Sequence, residues 1–429
     1  MDKTETRPLA QRPRLRRLES FPISEAGGEI VFGLRDSEGF SGSIVLPYPA
    51  AMLASFMDGS RTLAEIQQAF QGQFGQPVEM DVLEQLVREL DERLLLDTEH
   101  FRARWKIEIA QYLNRQARPA AHAGSAYAQQ PQALREQLSA LFTGEKGPGA
   151  PVESTEGTDA NRLCGVLSPH IDLHRGGTAF AWAYKRILEE SPADLFVIFG
   201  TAHNPMNHLF SVTRKHFETP LGTVETDREF VSKLAAKLSA TPAGREQNLF
   251  ADELSHRQEH SIEFQVVFLQ YLLGDRRPFK IVPVLTGSFH EFVTQNTSPA
   301  DSPQVAAFVS AMQQTAAEYA GRICYISGAD LAHIGQRFGD RAFLDADRLK
   351  EQAENDRQLL DTACRADADA FFQHIAQQQD RNRICGLSPT YTMLQVMRPG
   401  RGELLKYDQA VELDGTACVS FASLAFYRD

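Results

Sequence analysis

The sequence predicts an α/β protein with a central mixed, largely parallel sheet flanked by helices, preceded by a small α+β module of winged-helix type. Three observations lead there. From Arg162 onward short apolar runs alternate with helical stretches: "LCGVLSP", "AFAWAYKRILEE", "ADLFVIFGTAH", later "KIVPVLTG" and "RICYISGADLAH". Continuous apolar strands separated by helices are the pattern of a parallel sheet covered on both faces. Before residue 100 the order is different, with strand-like segments followed by three short amphipathic helices. Finally, polar residues cluster directly after the apolar runs, beyond the carboxyl ends of strands, where such sheets bind ligands.

In chain order, Arg12, Arg14, Arg16 and Arg17 form a basic arm, read as a solvated tail. "GEIVFGLRDSEGF" (28–40) and "SGSIVLPYP" (41–49) read as two hairpin strands. Met52, Leu53 and Phe56 follow at helical spacing, and "DGS" supplies a turn. Thr62 then caps a helix, with Glu65 completing a capping box. Val82, Leu83, Leu86, Val87 and Leu90 lie on one face of a third helix. The expected organisation is a module over 1–100, a linker helix over 101–117 and an α/β domain over 118–429. Residues 143–161, rich in Gly, Pro, Ser, Thr and acid, are expected to be a mobile loop.

Composition excludes several classes. The chain has 429 residues, of which 42% are hydrophobic, and its net charge of -12 opposes nonspecific binding to nucleic acid or anionic membrane. "VLEQLVRELDER" alternates charge signs and presents no basic face for reading DNA. No run is long and apolar enough for a membrane span, and the charged, Pro-containing start does not fit a signal peptide, so a cytoplasmic protein is expected. The cysteines at 164, 324, 364, 385 and 418 are odd in number, scattered and without a C-x-x-C pair. They read as reduced thiols.

Four polar clusters carry the chemistry. His170 follows "CGVLSP", His203 follows "LFVIFGTA", and Asp330 and His333 follow "ICYISGA". His260, with Glu259 and Glu263, opens the helical stretch "EHSIEFQVVFLQYLL". Histidine and carboxylate ligands from separate strands suit a first-row transition metal, and two His plus one carboxylate leave open positions, as in non-haem iron sites. A neighbouring His with an acidic partner can move protons near neutral pH. His174 could join His170 from the same loop. Gly176-Gly177 lacks the spacing of a dinucleotide fingerprint, and Ser168 and Ser261 lack a nucleophile elbow. His208, His216, His256 and His374 are read as surface or hydrogen-bonded histidines.

Eight segments occur in an order that resembles the MEMO family, including the group named AmmeMemoRadiSam system protein B. They are "RPAAHAGSAY" (118–127), "SPHIDLHRGG" (168–177), "LFVIFGTAHN" (195–204), "ETPLGTVETD" (218–227), "QEHSIEFQVVFLQ" (258–270), "SGADLAHIGQRFGD" (327–340), "CGLSPTYTML" (385–394) and "ACVSFASLAF" (417–426). The resemblance implies the fold of LigB-type extradiol dioxygenases, which hold Fe(II) with two His and one carboxylate. It also implies a metal pocket made by the His of the "PH" segment, the His after "G-x-x-H" and the Cys of "S-D-x-C-H". These map to His170, His203 and Ala332, so the family's thiolate is missing at the third position.

A site of N and O ligands only is therefore expected, with iron favoured over copper. If the strand runs on through 330–332, Asp330 shares a face with Ala332 and becomes the third ligand; His333 is the rival if the chain has turned. His260 would stand beside the metal as acid/base, its tautomer set by Glu259. Asp172 and His174 add polarity that relatives reading "PHAGY" lack.

The module before residue 100 resembles PqqD-like proteins, through "DGSRT", the helix after it and the apolar end at Leu94–Leu96. That resemblance implies peptide or partner binding. Together the two resemblances imply either a metal-dependent, dioxygenase-like redox enzyme or a non-catalytic docking protein. Radical SAM and AMMECR1-like proteins are the implied partners.

Overall fold

The computed structural model describes residues 9–24, 30–36, 38–152 and 163–428. The chain divides into two compact units, Met1–Asn114 and Arg115–Asp429.

The first unit contains β1 (Glu19–Ser24), β2 (Ile30–Arg35), β3 (Ile44–Pro47), α1 (Tyr48–Ser55), α2 (Leu63–Phe74), α3 (Met80–Glu92) and α4 (Glu99–Asn114). Its strands form an antiparallel sheet in the order β1-β2-β3. The sequence reading recognised two of these and missed β1, whose "ESFPIS" is short, contains a proline and has only Phe21 and Ile23 as apolar residues in alternation. Thr62 does cap α2: its hydroxyl accepts from Glu65 N–H while the Glu65 carboxylate accepts from Thr62 N–H. Ile66, Phe70, Leu83, Val87 and Leu90 close the unit's core. The basic arm is not wholly solvated. Arg16 is buried, forks onto Asp36 at 2.9 and 3.0 Å and lies over the Phe101 ring.

The second unit begins with β4 (Ala117–Arg118), α5 (Pro131–Thr143), β5 (Leu163–Ser168), α6 (Leu173–Glu190), β6 (Leu195–Thr201), β7 (Phe210–Val212), β8 (His216–Thr219) and β9 (Gly222–Thr226). It continues through α7 (Arg228–Ser239), α8 (His260–Leu273), β10 (Lys280–Thr286), α9 (His290–Gln295), α10 (Pro303–Ala317), β11 (Ile323–Gly328) and β12 (His333–Ile334). It ends with α11 (Ala346–Cys364), α12 (Ala368–Gln377), α13 (Leu387–Met397), β13 (Arg401–Val411) and β14 (Cys418–Tyr427). The second half of the predicted 143–161 loop lies outside the described residues.

The strands form one sheet in the order β12-β14-β5-β11-β6-β10-β9-β8-β4, with β13 beside β14 and β7 beside β10. Its middle, β5-β11-β6-β10, is parallel, and β14 and β13 are antiparallel additions. Side chains along β6 alternate between two cores: Val197 and Phe199 pack with α7, α10 and α13, whereas Phe196 and Ile198 pack with α6 and α8. That alternation is the pleat of a strand buried on both faces.

α8 is apolar on nearly every side, as a helix enclosed in a core must be. Its first turn crosses the ends of β6 and β11, where both strands finish in glycine or one residue beyond it. A Cβ on Gly200 would lie 2.6 Å from Ser261 Oγ, and one on Gly328 would lie 2.5 Å from Ser261 O. Ser261 Oγ donates to Thr201 O at 2.8 Å and Gln265 Nε2 to Pro169 O at 2.8 Å, fixing the helix against two strand ends.

A buried ion pair locks the same helix to the chain entering the unit. Arg118 and Glu263 are fully enclosed and paired. Arg118 also donates to the carbonyls of His256 and Glu259, while Glu263 accepts from Tyr127 OH and from Ala121 and His122 N–H. Burial raises the Glu263 carboxyl, but Arg118 and these donors outweigh it and hold it below the ordinary value.

Removing Arg118 strands a buried carboxylate, so Arg118→Ala is expected to cost about 3–5 kcal/mol in urea unfolding. Because the folded Glu263 carboxyl is depressed, its contribution is complete above its ordinary value of 4.5 and is lost as pH falls through the folded value. Wild-type stability should therefore fall on acidification below about pH 4.5, and the Arg118→Ala variant should show a shallower dependence.

Candidate metal centre

Three neighbouring parallel strands deliver the site. β5 ends two residues before His170, β6 two before His203 and β11 two before Asp330, and β11 lies between the other two. The histidines predicted from strand ends therefore do converge, with ring centroids 4.9 Å apart.

Each has one nitrogen already committed. His170 is 2% exposed; its Nδ1 faces Gly328 O at 2.8 Å and its N–H donates to Asp330 Oδ1 at 2.9 Å. In the neutral ring Nδ1–H donates to that carbonyl, leaving the Nε2 lone pair for a ligand. His203 Nδ1 lies 3.0 Å from Glu259 Oε1, and its N–H donates to Oε2 of the same carboxylate at 2.9 Å. Glu259 also accepts from Ser261 N–H as the N-cap of α8. The expectation that Glu259 sets the tautomer of His260 is thus corrected. Its short contacts go to His203, and His260 Nδ1 is 3.4 Å away.

The third donor is Cys385, which the sequence reading counted only as a scattered thiol. Its Sγ stands 3.3 Å from His170 Nε2, and one donor atom each from His170, His203 and Cys385 lie within 4.8 Å of one another. The expectation of an all-N,O site falls with that observation. Cys385 immediately precedes the Gly386 cap of α13, at the positive end of a helix dipole. A Cβ on Gly386 would come 2.4 Å from Asp330 O, so glycine is what lets the helix start this close to the strand end.

Asp330 and His333 take other places. β11 stops at Gly328, and the chain then crosses to β14: Leu331 N–H donates to Ser420 O and Ser420 N–H to Ala332 O. The strand does not run on, so alternation cannot pair Asp330 with Ala332. Ala332 packs against Ile334 and Cys418. The Asp330 carboxylate braces His170, with Oδ2 3.7 Å from Nε2, and joins neither cluster of three mutually close donors among the described residues. His333 Nδ1 turns to Leu331 O at 3.1 Å.

The second such cluster is His203, Glu259 and His260. His260 stacks on His203 at 4.6 Å and 22°. His122, which the sequence reading did not single out, meets His260 edge-on at 5.7 Å, with its Nε2 2.8 Å from Gln258 O. His256, read as a surface or hydrogen-bonded histidine, is buried; its Nε2 bonds Ser211 Oγ, and its Nδ1 has no partner among the described residues. His174 is exposed, and Asp172 caps α6.

Burial alone would raise the Cys385 thiol, but His170, His333 and His203 overcome it and bring it down to about 5. Burial would lower His170, but Cys385 and Asp330 raise it to about 9. His203 is raised and Glu259 lowered, each by the other against its own burial, while burial and the surrounding imidazoles lower His260. The pairing thus favours the thiolate form of Cys385 and the protonated ring of His170, each through the other. Two imidazoles and a thiolate suit iron, copper or zinc. The His203 side chain is 40% exposed, so the pocket opens to solvent on that side.

Fold and pocket together define an α/β sheet protein with a His-His-Cys pocket at the carboxyl edge of its parallel strands. The family model described as Memo-like protein matches residues 118–425, and the chain belongs to that family. A MEMO1 family protein of Aquifex aeolicus is 26% identical over 404 residues, 92% of this chain and 96% of its own. That match is longer than the second unit alone can supply. One from Methanopyrus kandleri is 28% identical over 318 residues, 72% of this chain and 99% of its own. The crystal structure of an uncharacterised Escherichia coli K12 protein aligns with a TM-score of 0.32 at 13% identity, over 62% of this chain and 99% of its own. No described helix is long and apolar enough to cross a membrane.

In metal-free protein, thiolate absorbance near 240 nm, taken as wild type minus Cys385→Ser, should titrate with a midpoint near pH 5. A midpoint above pH 8, as for an ordinary thiol, would contradict the pairing with His170.

Proposed function

We propose that this protein binds one first-row transition metal ion through His170, His203 and Cys385 and uses it in a redox or oxygenase reaction. The observation that carries the proposal is the convergence of three donors whose supporting contacts are already made: Gly328 O behind His170, Glu259 behind His203, the α13 terminus behind Cys385. Such outer contacts orient imidazole ligands in metal sites generally. A bound ion would supply a redox couple or Lewis acidity to a ligand entering from the exposed His203 side.

The chain's own residues take distinct roles in this reading. Glu259 holds His203, Asp330 braces His170, and His260, 29% exposed and stacked on His203, exchanges a proton with the ligand. His333 belongs to the scaffold behind Cys385. Iron fits the two imidazoles, and the thiolate removes the reason for disfavouring copper.

The first unit is proposed as the partner-binding element, in keeping with its resemblance to PqqD-like modules, with a radical SAM protein as the partner. The Methanopyrus kandleri relative supports a separable role, since 99% of its length matches only 72% of this chain. Deleting residues 1–114 should leave metal content intact and abolish co-purification with that partner; retained association would count against the unit's role.

The deciding measurement is metal content after anaerobic purification. About one ion per chain is expected, falling at least severalfold in His170→Ala, His203→Ala and Cys385→Ala. Substoichiometric metal that the three substitutions leave unchanged would overturn the proposal.

A further inference from the structure

The loop that delivers Cys385 departs from ordinary backbone. Gln379, Asp380 and Arg383 have φ of 53°, 46° and 54°, three left-handed non-glycine residues within five positions. Side chains disfavour that region, and such residues persist only where surrounding contacts over-determine them. One set of contacts stitches the loop to residues 330–340. His333 N–H donates to Asn382 O at 2.7 Å, and Gly386 N–H donates to Asp330 O at 3.1 Å. Between these, the Arg383 guanidinium donates through Nη1 to His333 O at 3.0 Å and through Nη2 to Asp340 Oδ1 at 2.7 Å. Asp340 is itself fixed, because its Oδ2 accepts from Gly335 N–H at 2.8 Å.

We infer that Arg383 is a positioning residue for the Cys385 sulfur, an inference that rests on the reading of Cys385 as a metal ligand. Two properties single it out. Its planar fork reaches a backbone carbonyl and a carboxylate at once, a geometry that a lysine ammonium does not reproduce. It also lies two residues before Cys385, on the free side of a loop whose other end is held by α13. The segment 330–340 acts as the template against which the thiol at 385 is set.

Magnitude separates positioning from general stability. The Arg383 and Asp340 side chains are 39% and 30% exposed, and ion pairs so accessible to solvent contribute little to folding. Supporting contacts around metal ligands, in contrast, change metal affinity by about 10- to 100-fold when removed. Loss of Arg383 should therefore be felt at the sulfur more than in the melting curve.

The test uses full-length protein loaded with Co(II), with the thiolate-to-cobalt charge-transfer band in the near ultraviolet and competition against a chelator as readouts. Wild type should show the band. Arg383→Ala should bind Co(II) about tenfold or more weakly, with the band diminished or shifted and the thermal midpoint within a few degrees of wild type. Arg383→Lys should recover only part of the affinity. A variant with wild-type affinity and an unchanged band would overturn the inference while leaving the metal reading standing. Absence of the band in wild type would overturn both. Should Arg383→Ala fail to fold, Asp340→Asn, which loosens one arm of the same fork, decides by the same criteria.

Discussion

Arg118 and Glu263 lie 145 residues apart in the sequence, fully buried and in contact, and the position of the pocket depends on them. A charge pair withdrawn from water must recover its hydration through geometry, and here nearly every donor and acceptor is used. The two carbonyls that receive Arg118, those of His256 and Glu259, belong to the approach and cap of α8. The two amides that serve Glu263 belong to residues 121 and 122. A single electrostatic constraint thus fixes the entering chain, the direction of α8 and the side chains at its start. Glu259 then reaches His203 because the helix cannot shift, and His122 meets His260 because both flank the same carboxylate network.

The sheet supplies the complementary constraint. Parallel strands place their carboxyl ends side by side, and the register pairs Gly328 of β11 with Ser168 of β5 and with Gly200 of β6. The chain segments leaving these ends emerge together, so His170, His203 and Asp330 meet without any designed loop. Glycine at two of the ends admits α8 across the top. The polar groups there are consequently enclosed on one side by helix and on the other by sheet, and open beside His203 and His260.

That division explains what the sequence reveals. Apolar runs such as "LFVIFGT" have no alternative but a doubly buried strand, so β5, β6, β10 and β11 are legible, and with them His170 and His203. Legibility ends where backbone leaves periodic structure. The step from β11 to the edge of β14 occupies four residues without regular structure, 329–332, and a reading by strand alternation placed Asp330 and Ala332 on one face. Cys385 follows a left-handed loop and carries no periodicity. The available signal was a cysteine followed by glycine at the start of an apolar helix, "RICGLSPTYTML", which marks a thiol at a helix N-terminus. His122 was hidden differently, inside "RPAAHAGSAY", where only the long-range Arg118 contacts give the segment its position. β1 escaped because its proline and short polar content suit an edge strand and resemble a loop.

The pocket is consequently asymmetric in stiffness. His170 is held through its backbone N–H and Nδ1, and His203 through its N–H and Nδ1, all by groups built on strand ends or the α8 cap. The Cys385 sulfur approaches His170 and His203 and lies 3.8 Å from Asp330 O, and its place is inherited from the loop behind it. Displacing an imidazole means disturbing the sheet; displacing the sulfur means relaxing a strained loop. A donor set divided in this way gives a nitrogen pair of fixed geometry and a thiolate that can adjust. In the proposed metal site, the preference between a harder and a softer ion would be governed by the segment 378–386 and its contacts with 330–340, while the parallel strands would fix where the ion sits.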